Sequence, residues 1–283
     1  MDTSLIRETL RKVLRQLNPS GDWPVNLHRI LSRLGIRLRI EEKDKTRTPL
    51  YSPSYLQLDD PPTIIIYRQI QESVLSARER FSIAHEIAHW VIWRRFGSLP
   101  SSGTEYWWHE TVCNEFAAGL LVPMAGLKHF LEKQYSENVN PAYFPDKVKK
   151  SAAVSWEVAA KSITALPAAD SAYLRLVKLA KSEKPKLQLQ STFKVNCSTL
   201  TNKPGAFVGR SALLRGQDEL SAWMDNLSQR VLERRTLTLT VGNLSLIDVP
   251  CTFLRESGYW IIHFCPSNKG VHIEPSHKTA SNQ

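Results

Sequence analysis

No stretch of this 283-residue chain approaches the roughly 20 uninterrupted apolar residues that a membrane-spanning helix needs, so no span is expected. The run Met1-Asp2-Thr3-Ser4-Leu5-Ile6-Arg7 lacks the apolar core of a secretion signal. Cysteine is scarce: Cys113, Cys197, Cys251 and Cys265 lie far apart and do not look like a disulfide framework. These absences favour a reducing, cytoplasmic setting. Acidic residues are also in deficit, 27 Asp and Glu against 37 Lys and Arg, a formal charge of +10. That imbalance favours nucleic acid or acidic partners, through long-range attraction and counterion release. Internal repeats and low-complexity tracts are missing too. What remains is ordinary globular material, 42% hydrophobic and 23% charged, long enough for two modest cores.

Periodicity divides the chain. Leu5, Ile6, Leu10, Val13, Leu14 and Leu17 fall at helical spacing, and a second amphipathic helix is expected over 25–34, closed by Gly35. Residues 36–40 alternate as a half-buried strand, and 63–67 read as a more buried one. The polar, Pro-containing stretch between them is expected to be loop or irregular edge strand. Helices are expected over 76–93, 104–121, 124–134 and 156–166. After Pro167 the texture becomes β-rich, at 187–195, 236–241, 251–255 and 259–264, with a helix at 217–233 and a hairpin turn at Gly258. The lysines Lys178, Lys181, Lys184 and Lys186 suggest a solvated connector over 167–186. The fold class expected is α+β, a mainly helical domain with a small sheet followed by a mixed α/β domain.

The chemistry concentrates in His85-Glu86-Ile87-Ala88-His89. Residues four apart on a helix share a face, so His85 and His89 can present imidazoles to a single ion. Neutral imidazole suits zinc, and two such ligands call for a third protein ligand and one open position for water. Glu86, beside the first ligand, can take the water's proton and return it to a leaving amine. The third ligand must come from elsewhere; Glu105, His109, Glu110 and Glu115 on the next helix are all candidates, and spacing does not choose among them. Tyr51, Tyr106 and His109 are candidates for oxyanion stabilisation. Trp107 and Trp108 offer a stacking or packing surface.

Two blocks carry a resemblance. Arg78-x-Arg80-Phe81-Ser82-Ile83-Ala84-His85-Glu86-Ile87-Ala88-His89-Trp90 and Glu110-Thr111-Val112-Cys113-Asn114-Glu115-Phe116-Ala117-Ala118-Gly119-Leu120-Leu121-Val122-Pro123 resemble the ImmA/IrrE family of bacterial and phage metallopeptidases, including its defence-associated CapP-like branch. The second block looks like the family's E-x-x-x-N-x-F-A-A-x-L-L-x-P helix, which makes Glu110 the third zinc ligand. The resemblance implies a zincin-like peptidase domain over 1–140, a helix-turn-helix-like segment over 141–168 with a turn at Ala152-Ala153-Val154-Ser155, and a GAF-like sensor domain over 186–283. It also implies a substrate, a helix-turn-helix (XRE-like) repressor whose cleavage releases stress-response or anti-phage genes.

Two further expectations concern control. Cys113 lies three residues after Glu110 on the same helical face, so a thiolate there would occupy the catalytic water's position and hold the enzyme silent. From Asp170 onward 15 Lys and Arg face 9 Asp and Glu, which points to single-stranded DNA or another nucleic acid as activator. The competing reading is a non-enzymatic DNA-binding or antitoxin-like regulator with a structural metal site. Glu86 argues against it, because a structural site needs no carboxylate beside an open position.

Overall fold

A computed structural model describes residues 3–42, 54–68, 74–99, 103–166, 169–178, 193–198, 232–241, 244–256, 259–265, 267 and 271–273. It is a mixed α+β structure in two compact units, one built from Met1–Lys133 with Asp146–Ser162, the other from Gln134–Pro145 with the described residues of Ile163–Gln283.

The first unit opens with helix α1 (Thr3–Leu17), which buries Ile6, Leu10 and Leu17, and helix α2 (Leu27–Leu34). The Asn26 side chain caps the start of α2, accepting from the Arg29 N–H, and Gly35 ends it at φ 69°, a left-handed conformation that glycine adopts without penalty. Strands β1 (Arg37–Glu42), β2 (Ser54–Gln57) and β3 (Thr63–Arg68) follow. They form a sheet in the order β1-β3-β2, with β1 parallel and β2 antiparallel to β3. Ile64, Ile65 and Ile66 are all buried, as a central strand covered on both faces requires. The Pro-containing stretch expected as loop or edge strand supplies β2, an edge strand of this sheet.

Helix α3 (Ala77–Phe96) carries the histidine motif. Its start is fixed by a capping box in which Ser76 and Glu79 exchange hydrogen bonds, and Glu79 also pairs with Arg68 at the end of β3 at 2.6 Å. Ile83, Ala84, Ile87, Ala88, Val91 and Ile92 are buried on several sides, so α3 is an interior helix without a single apolar stripe. Helix α4 (Gly103–Leu121) packs on it, burying Val112, Cys113, Phe116, Ala117, Leu120 and Leu121. Helices α5 (Met124–Ser136), α6 (Phe144–Ala152) and α7 (Trp156–Thr164) follow, α6 preceded by a 3-10 turn at Pro141–Tyr143. The turn expected at 152–155 lies between α6 and α7, with Ala153 at φ 52°. Arg80 of α3 donates to the Ala153 carbonyl at 3.1 Å and to the Val25 carbonyl at 2.9 Å, tying that turn to the motif helix.

The second unit contains an antiparallel sheet in the order β5-β4-β8-β7-β6, with β9 added on β7. Its strands are β4 (Ala172–Lys178), β5 (Phe193–Ser198), β6 (Leu232–Val241), β7 (Leu244–Glu256), β8 (Tyr259–Phe264) and β9 (Val271–Ile273). Tyr173, Leu174, Phe253, Ile262 and Phe264 are buried there. Two readings of the sequence are corrected. The connector expected over 167–186 contains β4, because Tyr173 and Leu174 pack in the core while Lys178 closes the strand. Leu232 and Glu233, expected at the end of a helix, belong to β6, held by pairing with Leu254 and Phe253. The rest of that helix, the Gly258 turn, and Lys181, Lys184 and Lys186 lie outside the described residues, as does Tyr51. Among the described residues no helix is long and apolar enough to cross a membrane.

Candidate metal centre

One helical turn on α3 brings His85 and His89 together, their Nε2 atoms 3.0 Å apart. Glu110 of α4 approaches both, Oε2 at 3.3 Å from His85 Nε2 and Oε1 at 3.2 Å from His89 Nε2. A tetrahedrally held ion with bonds of roughly 2.1 Å separates its ligands by about 3.4 Å. One ligand atom from each of the three residues lies within 4.8 Å of the others, so the donor set fits a metal ion. Among the described residues no fourth His, Cys, Asp or Glu joins the group.

The outward ring nitrogens are also occupied. His85 Nδ1 donates to Asn114 Oδ1 at 3.0 Å, which leaves Nε2 as the ring nitrogen facing the cluster. His89 Nδ1 lies 3.6 Å from the Cys113 sulfur. Cys113 is fully buried, and burial, reinforced by the charges of Glu110 and Glu86, pushes its thiol well above the usual range.

Of the four candidate third ligands, only Glu110 meets the histidines. Glu115 instead pairs with Arg7 of α1 at 3.2 Å. Glu105 lies exposed in the first turn of α4. His109 is buried, its ring nitrogens without a hydrogen-bond partner among the described residues, and burial lowers its pKa. Tyr106, one turn before Glu110, has its phenol pKa raised by the Glu110 charge first, then by burial and Glu86, so it belongs to the surroundings of the cluster. Trp107 is 70% exposed, whereas Trp108 stacks under the Arg7 guanidinium at 5.5 Å.

The electrostatics describe a cation-seeking site. Hydrogen bonds from His85 and His89 hold Glu110 far below the usual carboxylate range. Burial opposes charge on His85, but the Glu110 hydrogen bond and the charges of Glu86 and Glu110 outweigh it and raise its pKa. Glu86 is only 7% exposed, and its Oε1 accepts a 2.8 Å hydrogen bond from Ser54 Oγ on β2. Asn114 and Ser54 received no role from sequence. Asn114 stands in the quoted helix block four residues after Glu110, a spacing that signals a shared face; Ser54 carried no local signal.

The IrrE N-terminal-like domain, a domain of the M78 peptidases, matches residues 31–164, which span α3, α4, the His85, His89 and Glu110 cluster, Glu86 and Ser54. That match supports assigning the chain to the ImmA/IrrE family. The family suggests a metallopeptidase, and among the described residues His85, His89 and Glu110 form a group that could bind a metal. No curated protein matches the sequence. A Mycobacterium tuberculosis transcriptional regulator of known structure is similar in fold, with a TM-score of 0.50 and 13% identity over 90% of this chain and 74% of that one.

Proposed function

We propose that the chain is a cytoplasmic zinc-dependent endopeptidase that cleaves a helix-turn-helix repressor in response to a signal, with His85, His89 and Glu110 as metal ligands and Glu86 as general base. The observation that carries this is a buried carboxylate, Glu86, next in sequence to His85 of a three-residue cluster able to hold a metal ion. Two imidazoles and one carboxylate are a donor set suited to zinc with one position left for water. Bound there, zinc would supply a Lewis acid for the scissile carbonyl and lower the pKa of water toward ~7.

The remaining work falls to the chain's own side chains. Glu86 accepts the proton of the attacking water and passes it to the leaving amine. Tyr106, one turn from Glu110 in sequence, is our candidate donor of a phenol hydrogen to a developing oxyanion. Edge strand β2 is suited to holding an extended substrate segment by main-chain hydrogen bonds. The tie from Arg80 to the turn between α6 and α7 supports those helices as a prop for α3.

The family match and the likeness to a regulator motivate the repressor as substrate. The net charge of +10 motivates single-stranded DNA or another nucleic acid as activator, with the C-terminal GAF-like region as its sensor. The test mixes the zinc-loaded chain with a helix-turn-helix repressor encoded beside it, with and without single-stranded DNA, at low and high salt. Cleavage stimulated by DNA and suppressed by salt is expected. Activity indifferent to every nucleic acid removes the proposed signal and leaves the peptidase; no cleavage under any condition contradicts the peptidase.

A further inference from the structure

Glu86 of the His-Glu-x-x-His run is buried and hydrogen-bonded to a strand outside its own helix. Ser54 Oγ donates to its Oε1 at 2.8 Å, and both residues are almost fully buried, 5% and 7% exposed. Ser54 opens β2 opposite Ile66, in the register Ser54↔Ile66, Tyr55↔Ile65, Leu56↔Ile64, and Ile66 is itself buried in the central strand. The serine is therefore fixed by the sheet, and the carboxylate by the helix.

A glutamate side chain has three rotatable bonds, and a general base must present one oxygen to one water in one geometry. A carboxylate has two oxygens. A hydroxyl bound to Oε1 leaves Oε2 as the oxygen that takes the proton. It also opposes rotation of the carboxylate toward His85, where it would compete for the cation.

We infer that Ser54 is a positioning residue for the reaction: it holds Glu86 so that a single carboxylate oxygen faces the water beside His85, His89 and Glu110. The inference rests on the peptidase reading of that cluster. Ser54 is not one of the cluster's donors, and its role in the reaction runs through Glu86. Because Ser54 belongs to the edge strand, the tether also links the geometry of the base to the strand on which an extended substrate would lie.

The test is made on the full zinc-loaded chain cleaving its repressor. Ser54→Ala is expected to lower kcat roughly 10- to 100-fold, with KM held within about twofold and zinc content unchanged. Ser54→Thr keeps the hydroxyl and is expected to restore most of kcat. A second reading needs no activity: in the metal-free chain, the Tm shifts of Ser54→Ala and Glu86→Ala are expected to be non-additive in the double variant, as for two residues that share one hydrogen bond. Wild-type kcat in Ser54→Ala, an equal loss in Ser54→Thr, or additive Tm shifts overturns the inference. If wild type cleaves nothing while the Tm shifts are non-additive, the peptidase reading fails and the tether is only a fold contact.

Discussion

Replacing Asn114 with alanine leaves the donor set of the cluster intact while removing what orients it. Asn114 Oδ1 accepts from His85 Nδ1 at 3.0 Å, which places the imidazole proton on the outer nitrogen and leaves Nε2 as the ring nitrogen facing Glu110 and His89. Without that acceptor the ring is free to rotate and to populate the other tautomer, whose Nε2–H cannot ligate. Loss of such an outer partner lowers metal affinity by roughly 10- to 100-fold. At 1.4 kcal/mol per decade that is about 1.4 to 2.8 kcal/mol of binding free energy. Asn114 is exposed, so the fold should barely change, with less than about 0.5 kcal/mol expected in the metal-free protein. Asn114→Asp accepts the same hydrogen bond with a charged oxygen and is expected to bind metal at least as tightly as wild type. The assay is competition for zinc against a chromogenic chelator, with metal-free Tm measured in parallel. Wild-type zinc affinity in Asn114→Ala, or a loss that follows its Tm, would refute the argument that the asparagine orients His85.

Two further outcomes follow from the placements above. Cys113→Ala is expected to lower basal cleavage severalfold by loosening His89, whereas a thiol that plugged the site would give increased cleavage; steady-state rates of the metal-loaded proteins decide. His263, buried against Ser171 at 3.2 Å, has its pKa pushed by burial from 6.5 down to about 4. The folded state keeps it neutral while the unfolded chain protonates near 6.5, so this stability is complete above that pH and is lost as pH falls toward 4. The 2.5 units between the two values amount to about 3 kcal/mol, to be read as the drop in urea stability over that window and its flattening in His263→Gln.

What sequence made legible here was local. His85 and His89 share a helical face by spacing alone, and Ser76, Gly35 and Gly97 mark helix ends by the chemistry of caps. Glu110 lies 21 residues beyond His89 among three rivals, and only the family's helix pattern selected it; the reason it wins is the packing of α4 on α3, which turns Glu115 toward Arg7 and buries His109. Cys113, three residues after Glu110, lies on the same face, and its sulfur comes to 3.6 Å from His89 Nδ1. Ser54 depends on the β2–β3 register and on the sheet meeting α3, long-range facts with no periodic signature. Strand β4 was obscured by the lysine-rich run that begins at its end, because charge density reports solvation and says nothing of the apolar residues just before it.

In the proposed reaction Glu86 moves the proton at a zinc site held by His85, His89 and Glu110. Glu86→Gln separates chemistry from binding, because the amide keeps the size and a hydrogen-bonding oxygen but loses the base. The measurement is mass spectrometry of the repressor after incubation with zinc-loaded wild type or Glu86→Gln, alongside zinc content and repressor binding. The account predicts that Glu86→Gln retains one zinc, binds the repressor and releases no fragments, while wild type cuts it. Fragments produced by Glu86→Gln at the wild-type rate would contradict it.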